Sequence, residues 1–314
     1  MTSRLTSRHA TAFARSILIL IAVAGVAPAL AQQAPRAKVA RGGGALPPPS
    51  ASTTTKKGVW SFSIGSDLVS QYISRGLAFA DTPSVQPYAS IGLSLPQLTG
   101  DTVKSVKLSV GNWDSLQFGA PGLGQADYGP WSGWYESDLY TALNIGLTNG
   151  LSASFTVYYY HSPEHSFADY GDFETIVRYD DSKYWKNVVP LRDFALKPQL
   201  RVVRSFARAA GTNSTYWQPS LTPSFTVGGT EHPVRIGIPL VVGLSGDYYT
   251  GVDGGHPAFG YFRTGVTAAT TLVKKDNVTW RLVGGVDVWF TNPEVANDLA
   301  DTEVVERIGT SVSF

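Results

Sequence analysis

The chain has 314 residues, no cysteine and one methionine, and its 25 Lys and Arg against 24 Asp and Glu leave a formal charge of +1. That balance offers no electrostatic footprint for nucleic acid, and without cysteine neither disulfides nor thiolate metal sites can form. Gly, Ser, Thr, Val and aromatic residues are plentiful while only 16% of residues are charged, a mixture that favours pleated strands over helices.

Taken in chain order, Arg4, Arg8 and Arg15 precede an apolar run over 17–26 that ends at the small-residue site Ala29-Leu30-Ala31. The pattern reads as a cleaved signal peptide over 1–31. Residues 32–58 mix Pro, Ala, Gly, Ser and Thr with Arg36, Lys38, Arg41, Lys56 and Lys57, the composition of a disordered periplasmic linker. No later stretch reaches the roughly 18 consecutive apolar residues of a membrane helix.

From Trp60 onward the side chains alternate with period two, which predicts strands with one apolar and one polar face. Leu151, Ala153, Phe155, Val157 and Tyr159 alternate with Ser152, Ser154 and Thr156. Twelve strands are predicted, over 60–74, 84–95, 103–113, 136–147, 151–161, 172–180, 193–206, 215–227, 233–245, 259–272, 278–290 and 303–314. Most match the roughly 9 to 11 residues that cross a bilayer at a tilt. Short turns alternate with longer loops at 114–135, 162–171, 246–258 and 291–302, and shorter loops follow Arg75 and Phe206. Outer-membrane barrels have this asymmetry, with short turns on the periplasmic side. The expected fold is therefore all-β, a single antiparallel up-and-down transmembrane β-barrel over 59–314 in the outer membrane of a Gram-negative bacterium.

With the apolar face toward lipid, the interior receives Arg75, Asp138, Glu174, Arg178, Lys197, Arg201, Arg235, Arg263, Arg281 and Asp287 as lumen-lining charges, together with Asp67, Lys107, Asp180, Glu303 and Arg307. Selection by the membrane predicts this segregation, because an Arg or Lys on the lipid face costs about 2 to 4 kcal/mol at mid-bilayer. Glu306 and Arg204 break the pattern and are expected near strand ends. Trp60, Phe62, Tyr72, Tyr159, Tyr179, Trp217, Trp280 and Phe290 are expected in two aromatic girdles. Phe314, with Val312 and Ile308 on the same face of the last strand, resembles the signal read by the barrel-assembly machinery.

The segment GSDLVSQYISRGLAFADTPSVQPYASIGL at 65–93 is followed by GNWDSL at 111–116, YESDLYTALNIGL at 135–147, YYYHSP at 158–163 and DFETIVRYDD at 172–181. In this order they resemble the Gcw_chp family of exported hypothetical proteins of Gram-negative bacteria. The resemblance is carried by Ser66, Tyr72, Arg75, Gly76, Gly111, Trp113, Ser115, Asp138, Tyr140, Tyr160, Pro163 and Glu174. It implies an exported barrel-like protein and no particular activity, and it covers the first half of the mature chain.

Arg75, Asp138 and Glu174 admit two readings. One is a charged ring that sets ion preference. The other, which weighs more because buried charges must be paired, is a set of ion pairs holding a plugged barrel together. Nine interior Arg or Lys against six Asp or Glu hint at a mild anion preference, by too small a margin to decide. His161-Ser162-Pro163-Glu164-His165 spells a zinc-peptidase string, but Pro163 and its place after a strand deny it the helix that chemistry needs. No catalytic set, metal site or cofactor site is expected. The sequence points to a narrow pore for small solutes or ions, with the loops at 114–135 and 246–258 as candidate plugs or receptors and outer-membrane lipid and the assembly machinery as partners. A closed structural or adhesive barrel and a lipid-acting outer-membrane enzyme are the alternatives. A soluble sandwich or lipocalin-like barrel would reverse every inward and outward assignment.

Overall fold

The computed structural model describes residues 59–119, 133–206, 213–297 and 299–314, and in it twelve antiparallel strands close into one barrel. The strands are β1 (Trp60–Val69), β2 (Ser84–Ser94), β3 (Val103–Gln117), β4 (Trp134–Leu147), β5 (Leu151–His161) and β6 (Tyr170–Tyr179). They continue with β7 (Gln199–Phe206), β8 (Thr215–Leu221, resumed at Ser224–Val227) and β9 (Val234–Gly237, resumed at Leu240–Ser245). The last three are β10 (Phe259–Lys275), β11 (Val278–Thr291) and β12 (Thr302–Ser313). Each pairs with its chain neighbour, and β12 returns to β1 with Ser313 opposite Ser63 and Arg307 opposite Val69. Closure leaves no edge strand, so the wall's backbone groups are paired within the wall, as a bilayer demands. The interruptions of β8 and β9 fall at Pro223 and Pro239, which lack the N–H a ladder needs. The two breaks lie side by side, with Ile238 N–H donating to the Pro223 carbonyl at 2.9 Å.

The outer surface is apolar. Ile64, Ile91, Val110, Leu139, Val157, Val177, Val266, Leu282 and Ile308 are all exposed, while inward positions carry Ser, Gly, Tyr and charges. A dissolved barrel would have the inverse arrangement, so the lipocalin-like alternative does not hold. Trp60, Phe62, Tyr179 and Trp280 lie toward the turn ends of their strands and Tyr159, Trp217 and Phe290 toward the loop ends, in two bands. Arg204 lies near the loop end of β7 against Asp247 at 3.7 Å, and Glu306 lies beside Ser70, just beyond the loop end of β1.

The first strand departs from expectation. The wall strand ends at Val69, and residues 70–83 fold inward as a hairpin of Tyr72–Ser74 and Leu77–Ala80, a separate two-stranded sheet inside the barrel. Its tip is Arg75-Gly76, with φ of 52° and 75°, a left-handed pair that turns the chain back. Tyr72, expected in a girdle, is 4% exposed and sits inside the barrel. β7 starts at Gln199 rather than 193, because Asp181 accepts hydrogen bonds from the Leu196 and Lys197 N–H groups at 2.9 to 3.2 Å and from Trp185 Nε1 at 2.6 Å. These bonds gather 180–198 into a compact turn with a single helical turn at Ser182–Trp185. The signal segment, the linker and most of the 114–135 loop lie outside the described residues.

Candidate functional site

The inward hairpin occupies the loop-side half of the lumen. Arg75 is 2% exposed, and its Nη2 lies 2.7 Å from Asp172 on β6. The guanidinium also stands 5.7 Å from the ring centres of both Tyr216 on β8 and Tyr248 in the 246–258 loop, and Nη2 donates to Tyr160 Oη at 3.4 Å. The backbone of the tip is held too. Tyr249 Oη donates to the Arg75 carbonyl at 3.0 Å and Asn297 Nδ2 to the Gly76 carbonyl at 3.4 Å. At the base, Tyr72 Oη donates to Glu136 on β4 at 3.0 Å.

Aromatic rings fill the space between these contacts. Tyr72 packs against Phe79 and Trp113 at centroid distances of 5.3 and 5.5 Å, and Tyr160 stacks on Tyr170 at 4.5 Å. Tyrosines suit this position because each joins an apolar ring to a hydroxyl that finds a polar partner. Two further ion pairs brace the wall behind the hairpin, Arg201 with Glu174 and Arg263 with Asp287, the latter at 3.2 Å. Beside the hairpin a cavity of about 80 Å³ remains, lined by Asp67, Gln86, Trp113, Arg201, Arg263 and Arg307 among others.

The turn-side half of the lumen is different. Lys107 on β3, Arg178 on β6, Arg235 on β9 and Arg281 on β11 sit at inward positions, opposite Asn144, Ser152, Ala269 and Ser311 of their neighbours. Two of them bond neutral groups, Arg178 Nε donating to Gln199 at 2.7 Å and Arg235 Nη2 to Ser224 at 2.7 Å.

Most of the predicted lumen charges are thus on the inner face, with three corrections. Arg75 is at the hairpin tip, not on the wall, and its ionic partner is Asp172 rather than Asp138 or Glu174. Lys197 lies in the 180–198 turn with φ of 51°, at the turn-side mouth. Asp180 belongs to the same turn and is exposed. The sequence reading missed Asp172 and Glu136, although Asp172 shares the parity of Glu174 and Glu136 that of Asp138. Tyr248 and Tyr249 of the 246–258 loop are buried against the hairpin.

The 161–165 string is taken apart by the fold. His161 Nδ1 turns outward to Asp169 at 2.8 Å, whereas Glu164 is buried and accepts from Ser166. Tyr159 and His161 bonded to Asp169 hold its carboxyl below the usual range.

A closed antiparallel barrel with an apolar belt, a polar interior and loops folded into one end has the fold of an outer-membrane β-barrel. The chain is similar to an outer membrane channel from Pseudomonas putida, with a TM-score of 0.50 and 10% identity over 85% of this chain and 99% of that one. Weaker similarities include the β domain of the Bordetella autotransporter BrkA, with a TM-score of 0.42 and 9% identity over 81% of this chain and 99% of that one. A porin is similar with a TM-score of 0.28 and 10% identity over 81% of this chain and 99% of that one. No family model and no curated protein matches the chain.

Proposed function

We propose that the protein is an outer-membrane channel for small solutes or ions, closed at its loop side by the 70–83 hairpin. One observation carries this reading: among the described residues the sheet of Tyr72–Ser74 and Leu77–Ala80 pairs only with itself and contributes no strand to the wall, to which the hairpin is tied by backbone–backbone hydrogen bonds only at its ends, through the Ser70 N–H and the Pro83 carbonyl. It can therefore leave the lumen without breaking a barrel ladder, uncovering the polar groups of Glu136 and Asp172 together with the rings of Trp113 and Tyr135. The fold shared with an outer membrane channel supports the same reading. In this reading the short turns and both termini face the periplasm, residues 1–31 direct export, 32–58 act as a tether, and Phe314, Val312 and Ile308 are read during assembly. The Gcw_chp resemblance fits as well, since Tyr72, Arg75, Gly76, Trp113, Asp138, Tyr160 and Glu174 meet at or around the hairpin.

The test replaces 70–83 with a short Gly-Ser connection and compares the variant with the intact barrel in planar bilayers. Stepwise currents well above those of the intact protein are expected. A variant as silent as the intact barrel would overturn the channel reading and favour a closed structural or adhesive barrel. Heat-modifiable mobility on gels confirms that the wall has folded in both.

A further inference from the structure

We infer that the solutes accepted by this lumen are small anions, selected by a ring of four cations on its turn side: Lys107, Arg178, Arg235 and Arg281. The inference rests on the channel reading and names its substrate class.

Three observations carry it. First, the four residues come from β3, β6, β9 and β11, so they are spread around the circumference rather than gathered in one patch. All four are half-buried, as inward side chains near a mouth should be. Lys107 lies over Gly92 and beside Ser61, inside the barrel, where any side chain at Gly92 would collide with it.

Second, among the described residues none of the four forms an ion pair. The inward strand positions around them are Ser61, Ser94, Asn144, Ser152, Thr271 and Ser311 and others like them, small and neutral. The acids of this end lie in the turns, Asp101, Glu231 and Asp276 exposed in the short ones and the rest in the 180–198 turn, where Asp181 holds backbone N–H groups and Asp193 faces Arg192 at 4.0 Å. Above Arg178, the carboxylate of Glu174 is engaged by Arg201.

Third, the acids of the wall are segregated to the other half. Glu136, Asp138, Asp172 and Glu174 are all at most 1% exposed and surround the hairpin. An anion approaching from the turn side therefore meets unneutralised positive charge before any buried carboxylate. Low-dielectric walls focus such a field, and rings of Lys and Arg select anions by this means. Guanidinium groups add planar donors suited to carboxylate and phosphate oxygens.

The test uses the hairpin-shortened barrel in a tenfold KCl gradient. The reversal potential is expected to show chloride favoured severalfold over potassium, and the fourfold change K107S, R178Q, R235Q and R281Q should bring the ratio near unity. Cation preference, or a ratio unmoved by the fourfold change, would overturn the inference. A shortened barrel that passes no current sinks the channel reading instead. In that case titration of the full chain in detergent with pyrophosphate decides. Binding by the unaltered chain that weakens at least tenfold in the neutralised one supports the cation ring, and equal binding refutes it. Should the fourfold variant fail to fold, R178Q and R281Q are used singly, each expected to move the ratio part of the way.

Discussion

Replacing Arg75 with alanine tests whether electrostatics hold the hairpin in the lumen. In the intact protein Asp172 is fully buried with the Arg75 guanidinium at 2.7 Å, and Glu136, Asp138 and Glu174 are buried nearby. Removing one partner of a buried pair leaves an uncompensated charge and costs about 3 to 5 kcal/mol. Undocking the hairpin lets water reach Asp172 and relieves this cost, so the penalty falls on the docked state alone. At about 1.4 kcal/mol per tenfold, the docked-to-undocked ratio should fall by roughly two to three and a half orders of magnitude. Single-channel recording reads this as a matching rise in open probability, with heat-modifiable mobility confirming an intact wall. Arg75→Lys should fall between, because it keeps the charge but loses the planar contact with Tyr216 and Tyr248. Adding Asp172→Asn to Arg75→Ala should recover part of the closure, since the stranded charge is gone. Closed dwell times in Arg75→Ala equal to those of the intact protein would refute the argument and leave the aromatic packing as the sole latch.

Two further outcomes test the frame around the site. Val110→Arg on the exposed belt should destabilise the barrel in lipid by about 2 to 4 kcal/mol, read as a lower urea midpoint for unfolding from vesicles, and an unchanged midpoint would contradict the outward orientation of this face. Burial raises the Asp181 carboxyl, but hydrogen bonds from Lys197, Trp185 and Leu196 pull it further down, leaving it below its ordinary value. A carboxyl depressed on folding stabilises above its unfolded pKa and loses that contribution as pH falls through its lower folded pKa. Trp185 fluorescence should therefore report an acid transition of the 180–198 turn that lies below the ordinary carboxylate range, and Asp181→Asn should abolish it. A transition that survives the substitution would assign it to another group.

The wall was legible in the sequence because it is written in a two-residue period that each strand repeats. The hairpin was not, and the reason is visible at 69–74. Past Val69 the residues stay extended in character and Tyr72 keeps the even parity of Trp60, Phe62, Ile64 and Leu68, although the apolar Val69 and Ile73 stand on the opposite parity. Period two reports that a segment is extended, not which sheet it joins. The discriminating signal was Arg75-Gly76, a charge with a residue suited to positive φ at the end of an over-long strand. Asp172 was hidden for a different cause: its partner is 97 positions away in sequence, and only closure of the barrel brings the two together.

Of the two readings of Arg75, Asp138 and Glu174, the ion-pair brace matches the contacts that Arg75 and Glu174 make, with Asp172 and Arg201. Where the hairpin excludes water a lone charge is costly, and Arg75, Arg201 and Arg263 each face a carboxylate. Toward the turn-side mouth Lys107, Arg178, Arg235 and Arg281 are half-buried and stand among serines and small neutral residues. Among the described residues pairing therefore divides by height: charges around the hairpin are matched with carboxylates, and those toward the turns are not.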